Sequence, residues 1–405
     1  LAGLAASAQS QSVDSSTLLG KVLFGYQGWF RTPGDGSNAG WSHWSRGAPS
    51  PATMAVDLYP DLSEFDPTDL FPIPNETVGS KPAFLFSAYN PRVVLKHFEW
   101  MKAYGLDGVL LQRFLSDIPR DRAEHEGVLR NVIAAAEKTG RVFAIEYDIS
   151  GAPDDTFAQS LKDDWQYLVS ELHVTESPRY LHHNGRPVVS IWGMGLNDSK
   201  HPPSSASAAI DICHWFERVA DVTLIGGTPA YWRERSRDSK QDPSWAKAYA
   251  AMKVIQPWTV GRYGDLKAVD DWKANELVPD LAATKSAGQL YMPVIFPGFS
   301  WHNLNPNSPE NQIPRLGGQF LWRQAANARS AGAQMLKIAM FDEVNEGTAV
   351  FKAAPKQIDA PDQGYWLTLD ADGANLPSDY YLKLAGLITQ AFHRNAALPL
   401  QLPRP

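Results

Sequence analysis

Short apolar or β-branched runs recur along the chain, separated mostly by amphipathic stretches. Eight such runs can be read, over residues 22–29, 108–114, 142–149, 187–192, 222–226, 254–260, 292–299 and 336–341. Between them, Val94, Phe98 and Met101 fall at helical spacing, as do Leu129, Val132, Ile133 and Ala136, and Ile212, Trp215, Phe216 and Val219. Tyr381, Leu384, Ala385 and Ile388 repeat the pattern near the end. Each set makes one apolar stripe able to lie on a sheet. The helices before the sixth and seventh runs are less clear. Strands alternating with helices imply a parallel sheet, and eight units predict a closed (β/α)8 TIM barrel in a single domain. A doubly wound open sheet is the rival, but no Gly-rich phosphate fingerprint follows the first run.

Loop lengths point the same way. The helix-to-strand links at 104–107, 139–141 and 331–333 are short, whereas the strand-to-helix links at 31–82, 298–316 and 347–378 are long and rich in Gly, Pro, Asn and Trp. Barrel enzymes build their sites from such loops. One link is decorated: residues 180–189 read as a hairpin through Asn184-Gly185, feeding the fourth strand. No linker or second hydrophobic pattern marks another domain. The expected organisation is a signal remnant or flexible start over 1–18, the barrel over 19–394, and a Pro-rich surface tail over 395–405.

The eighth run delivers Asp342-Glu343-Val344-Asn345-Glu346 to a strand end, with three carboxylates in five residues. Glycoside cleavage needs one carboxylic acid at the leaving oxygen and one carboxylate as base or nucleophile. Glu343 and Glu346 are three apart and face one cleft if the chain turns there. Crowding raises one pKa and keeps one of them protonated. An exposed acidic turn is the bland alternative. Glu146 and Asp148 share a strand face and form a rival pair. Arg113, ending the second strand beside Gln112, is placed either on a sugar hydroxyl or in an ion pair. Aromatic and imidazole groups gather at other strand ends and in the first long loop: Tyr26, Trp29, Trp192, Trp258, Trp301-His302, Trp41 and His43-Trp44. Trp stacks on sugar rings as readily as it fills cores, and 14 of them is a high count for 405 residues.

The remaining composition mostly excludes. A net charge of -7 without a basic run speaks against nucleic acid. No apolar run is long enough to span a membrane. The single cysteine, Cys213, rules out an internal disulfide or a Cys-based zinc site and falls in an apolar helix pattern. No His-x-x-x-His pair supports a metal, and no cofactor is expected. The absence of a Gly-x-Ser-x-Gly elbow counts against a serine hydrolase. Leu1 to Gln9 resembles the end of a secretory signal, and Asn75-Glu76-Thr77 and Asn197-Asp198-Ser199 fit glycosylation sequons, so an extracellular protein is expected.

At this point a resemblance enters. Residues 342–348, Asp-Glu-Val-Asn-Glu-Gly-Thr, resemble the Asn-Glu-Trp-x-Glu-Gly-Thr signature of glycoside hydrolase family 99, the endo-α-mannosidases and endo-α-mannanases. Tyr180 to Trp192, with Gly185-Arg186-Pro187-Val188, is similar to that family's approach to its fourth strand. Gly25-Tyr26-Gln27-Gly28-Trp29-Phe30, then Pro33-Gly34-Asp35-Gly36 and Gly40-Trp41-Ser42-His43-Trp44, resemble a related branch often labelled xylosidase or arabinosidase. The resemblance implies a retaining, endo-acting, metal-free barrel hydrolase. In it one Glu is the base on the sugar's own 2-hydroxyl, giving a 1,2-anhydro sugar, and the second is acid and then base. By position Glu343 takes the first role and Glu346 the second, with Asn345 between them at the substrate. Asp342 stands where the family has Asn, adding a charge beside Glu343, and Val344 stands where it has Trp, removing an aromatic wall. The reading is thus a secreted, monomeric glycosidase on an α-mannoside-containing polysaccharide or N-glycan. Glu343 and Glu346 are catalytic, and Tyr26, Trp29, Arg113, Trp192, Trp258, His302, Asp342 and Asn345 bind substrate. A xylose- or arabinose-containing polymer is the alternative substrate, and a lectin-like barrel without turnover is the alternative class.

Overall fold

The computed structural model describes residues 12–403. Eight parallel strands form the centre: β1 Val22–Tyr26, β2 Gly108–Phe114, β3 Val142–Asp148, β4 Arg186–Trp192, β5 Thr223–Thr228, β6 Val254–Pro257, β7 in two halves, Leu290–Tyr291 and Val294–Ile295, and β8 Leu336–Ile338. Each pairs in parallel with its neighbour, from β1–β2 through β5–β6, and β8 pairs back onto β1 with Leu23 opposite Lys337. The first half of β7 pairs with β6 and the second with β8. Those halves belong to one six-residue segment, so the sheet closes and the (β/α)8 barrel expected from the sequence is present. The break in β7 falls at Met292-Pro293, where proline has no N–H to give to a ladder.

Helices cover the outside: α1 Pro91–Ala103, α2 Ile118–Thr139, α3 Phe157–Ser170, α4 Ala206–Arg218, α5 Trp245–Ala250, α6 Leu266–Trp272, α7 Val278–Ser286, α8 Gln319–Ser330 and α9 Tyr380–His393. The predicted stripes of α1 and α9 face inward, with Val94, Phe98, Met101, Tyr381, Leu384 and Ile388 buried, whereas Val219, expected on the third stripe, lies just past the end of α4 and is exposed. The unclear helices are short α5 and the pair α6–α7, joined by a π turn over Lys273–Leu277. The Asn184-Gly185 hairpin is present, pairing His183 with Arg186, both turn residues having positive φ. The first long loop holds more than the sequence suggested: Leu70–Val78 and Lys81–Phe86 form an antiparallel hairpin of their own. Pro72 and Pro74 hide the strand signal there.

Both ends of the described residues are tied down. The Val13 N–H donates to Gly140 O at 2.8 Å, Ser15 O accepts from His182 N at 2.7 Å, and Leu18 is fully buried. Residues 12–18 therefore belong to the fold, under the amino ends of the strands. The rest of the expected start, residues 1–11, lies outside the described residues. The tail runs along α8, where the Trp322 indole N–H meets Pro399 O at 2.7 Å and Leu402 N–H meets the Gln319 side chain at 2.7 Å.

Strand parity decides which side chains reach the barrel interior. Lys337 on β8 bonds Glu146 on β3 at 2.6 and 2.7 Å and reaches Gln256 on β6 at 3.3 Å. Those strands are not neighbours, so the three side chains meet only inside. Registered neighbours in a parallel sheet face the same way. Gln112 and Ser190, registered with Glu146, and Trp192, registered through Gly227 with Gln256, therefore also point inward.

Candidate active site

Three carboxyls follow β8 in a short turn. Asp342 accepts from the backbone N–H of Gln27 at 2.8 Å and of Gly28 at 2.9 Å, one on each oxygen. This stitches the end of β8 to the end of β1. Gly28 has φ +58°, and a Cβ there would lie 2.8 Å from Val128, so any side chain would be both strained and crowded. Glu343 is 2% exposed, and its Oε1 accepts from Asn345 N at 2.8 Å and Glu346 N at 3.4 Å. Glu346 is half-buried, and its carbonyl takes the Ser300 N–H at 2.9 Å. The chain does turn, as one shared cleft requires.

All three acids are pushed upward. Burial raises Asp342 to about 7 against the pull of its backbone donors. Burial, then repulsion from Glu346 and Asp342, lifts Glu343 well above the carboxylate range. Burial alone lifts Glu346 to about 7. Two crowded carboxyls keep one proton between them near neutrality. Two backbone donors orient the Glu343 carboxyl, and Glu346 has none. One acid beside one oriented carboxylate is the pair that glycoside cleavage uses.

Trp29 stands beside this turn. Its ring is stacked between His43, 3.9 Å away, and Phe114, 5.1 Å away, and its indole N–H is buried without a protein partner. Across the barrel mouth Trp192 and Trp258 meet edge to face at 5.4 Å, and the Trp192 indole N–H also lacks a partner. The Lys337 ammonium lies 5.3 Å from the Trp258 ring centre. Aromatic faces with unspent donors are the lining a sugar site needs. His302 is on the rim formed by the loop after β7, bonded through Nδ1 to Ser308 O at 2.7 Å and edge-on to Tyr365.

Other expected binders are placed differently. Tyr26 has the outward parity of β1, is fully buried, and its hydroxyl meets His97 of α1 at 2.9 Å. Arg113 also points outward, forming a two-bond ion pair with Asp164 of α3 at 2.6 and 2.7 Å, where Tyr147 joins at 2.9 Å. Neither reaches the mouth, and of the two roles open to Arg113 the ion pair is the one found. Asp342 spends both oxygens on backbone N–H groups, so it positions the site rather than touching substrate. The Asn345 amide nitrogen is likewise spent, on His43 O at 2.8 Å and Ala55 O at 2.6 Å, which pins the first long loop beside Glu343. Val344 turns into the core and adds no wall. The rival pair fails because Glu146 is sealed against Lys337 with both side chains 0% exposed. Cys213 is buried, its thiol pushed up to about 12 by burial, and remains an inert core residue.

The sequence reading missed Asp57. Fully buried, it accepts from Ser300 Oγ at 2.6 Å, His302 N at 2.8 Å and Asn303 N at 2.7 Å, and so organises the loop after β7. A lone acid in the apolar run Met54 to Tyr59 was the available signal. Among the described residues no three His, Cys, Asp or Glu side chains converge as a metal would need, and no helix is long and apolar enough to cross a membrane. Replacing Tyr26 by Phe should lower stability by about 1 kcal/mol through the lost His97 bond, without changing KM. Urea melts beside steady-state kinetics check this, and a raised KM would return Tyr26 to the substrate.

No family model matches the sequence, and no curated protein matches it. Solved structures do match by fold. A family GH99 endo-α-mannosidase from Bacteroides thetaiotaomicron superposes with a TM-score of 0.67 at 16% identity, over 94% of this chain and 99% of that one. Its structure with bis-tris-propane gives the same score and identity over 95% and 99%. A glycoside hydrolase-like protein gives 0.53 at 14% identity, over 85% and 98%. The chain is a single-domain (β/α)8 barrel, with a paired-carboxyl site at the carboxyl ends of its strands. Its fold is similar to that of the family GH99 endo-α-mannosidase over 94% of the chain.

Proposed function

We propose that this protein is a retaining glycoside hydrolase of the family 99 type, endo-acting on an α-mannoside-containing polysaccharide or N-glycan. The observation that carries this is the pair Glu343–Glu346, brought together by the turn after β8, with burial pushing both carboxyls up. Glu343, held by two backbone donors, takes the proton of the sugar 2-hydroxyl as that oxygen attacks the anomeric carbon. Glu346 gives its proton to the leaving oxygen, then takes one from the water that opens the 1,2-anhydro sugar. Trp192 and Trp258 supply the faces against which sugar rings stack, Trp29, its faces taken by His43 and Phe114, offers only its indole N–H, and His302 lines the rim. The likeness of fold to the endo-α-mannosidase supports the mannoside over a xylose- or arabinose-containing polymer. We further propose an extracellular monomer. Both sequon asparagines, Asn75 and Asn197, are exposed, which supports export.

Activity should fall as pH rises past about 7, because Glu346 then loses the proton it must donate. A profile of log kcat/KM against pH checks this, and a flat profile from pH 6 to 9 would remove Glu346 as the acid. Stability carries the same signature. The folded pKa of Glu346 is raised from 4.5 to about 7, so its stabilising contribution is complete below about 4.5 and is lost as pH rises through 7. Glu346→Gln should therefore be more stable than wild type at pH 8, by up to about 3 kcal/mol, with the gap closing toward pH 4. Paired melts at the two pH values measure it. EDTA should leave activity unchanged, and loss restored by zinc or calcium would bring a metal into the mechanism.

A further inference from the structure

Three side chains outside the paired-carboxyl site form a Ser–His–Asp relay that the absent elbow motif gave no reason to expect. Ser150 Oγ is 2.9 Å from His201 Nε2. His201 Nδ1 is 2.7 and 2.9 Å from the two oxygens of Asp198. Such a constellation is recognised by its geometry and roles, not by sequence spacing. Ser150 follows the carboxyl end of β3 and His201 lies in the loop after β4, so the relay sits on the face where barrel chemistry is done. The loops are held together there, with Gly151 N–H donating to Lys200 O at 2.7 Å and Ser204 Oγ to Asp154 at 2.6 Å. Asp198 also accepts the Lys200 N–H at 2.8 Å, which fixes its carboxylate toward the imidazole. Ser150 is half-buried and so reachable, while the His201 side chain is 10% exposed. The backbone N–H of Ser150 is bonded to Asp148 at 2.8 Å and its hydroxyl also reaches that carboxyl, so an oxyanion needs another donor. The Trp192 indole, edge-on to the His201 ring at 5.2 Å, has a buried N–H without a protein partner.

We propose that Ser150, His201 and Asp198 are a second hydrolytic site, which removes small O-acyl groups from the sugars entering the barrel mouth. Ser150 Oγ attacks the acyl carbonyl carbon as its proton passes to His201 Nε2. The bond from that carbon to the sugar oxygen breaks, and the sugar leaves as an alcohol with the proton from His201. Water then attacks the acyl-serine, losing a proton to His201, and the carboxylic acid departs as Ser150 regains its proton. Asp198 holds His201 in the tautomer that presents Nε2 as acceptor, and Trp192 offers its N–H to the tetrahedral oxyanion. The choice of acylated glycan rests on the glycosidase reading. The relay chemistry does not, and it is tested separately.

The full chain is treated with an alkyl fluorophosphonate and with p-nitrophenyl acetate. One phosphonyl adduct, mapped to Ser150, is expected, together with acetate release above the uncatalysed rate. Ser150→Ala should abolish both while still cutting the polysaccharide, and Asp198→Asn should slow both by decades, as losing the orienting acid does. Failure of the wild type to be labelled or to hydrolyse the ester would overturn the proposal, as would adduct or hydrolysis persisting in Ser150→Ala. Either result leaves the reading of Glu343 and Glu346 untouched, since polysaccharide cleavage is scored independently.

Discussion

Glu346→Gln is expected to lower kcat on the polysaccharide by roughly two to four decades, the usual scale for losing a general acid, with the fold intact. The amide keeps the shape of the side chain but has no proton of the needed acidity for the leaving oxygen. A substrate with an activated aryl leaving group needs little protonation, so its rate should fall much less. That contrast separates acid catalysis from damage to the site, because damage would slow both substrates alike. Near-normal turnover of the polysaccharide would remove Glu346 from the mechanism and leave the carboxyl pair as a structural acidic turn.

The largest stability effect is expected inside the barrel. Lys337 and Glu146 form an ion pair with no solvent exposure, completed by Gln256. Removing one partner leaves the other charge buried and alone, which typically costs 3–5 kcal/mol. Lys337→Met and Glu146→Gln should each fall by about that amount in urea unfolding. The double variant Lys337→Met/Glu146→Leu buries no charge and should recover most of the loss. If each single variant changes stability by less than about 1 kcal/mol, the pair is solvated in solution and the floor of the mouth is wetter than the structure implies. Lys337 also lies against Trp258, so loss of the ammonium should loosen that ring and, on the proposed reading, raise KM.

The architecture was readable because its signal is local and periodic. All eight apolar runs correspond to barrel strands, and long loops fall where strands end, since helix and strand spacing are properties of neighbouring residues. The reading weakened where local chemistry masks a strand, at Pro72 and Pro74 in the first loop and at Pro293 in β7. Tyr26 and Arg113 were misplaced for another reason. Both sit near strand ends, but one step in strand parity separates a side chain facing the mouth from one facing a helix. Counting parity from Gly25 or Gln112 would have sent both outward. Glu343 and Glu346 could be proposed as a pair from the sequence because one short turn carries both. The links from Asp342 to Gln27 and Gly28 and from Asn345 to His43 and Ala55, like the cluster of Ser150, His201 and Asp198, join distant parts of the chain. No spacing rule announces such contacts, since only the closed barrel brings the partners together.

The most direct test of the central claim is product release from α-mannans, xylans, arabinans and α-glucans side by side, comparing wild type with Glu343→Gln. The account predicts oligosaccharides from the α-mannan with wild type and none from the variant. A wild-type protein that binds one of these polymers yet releases nothing from any of them would contradict it and make the barrel a lectin.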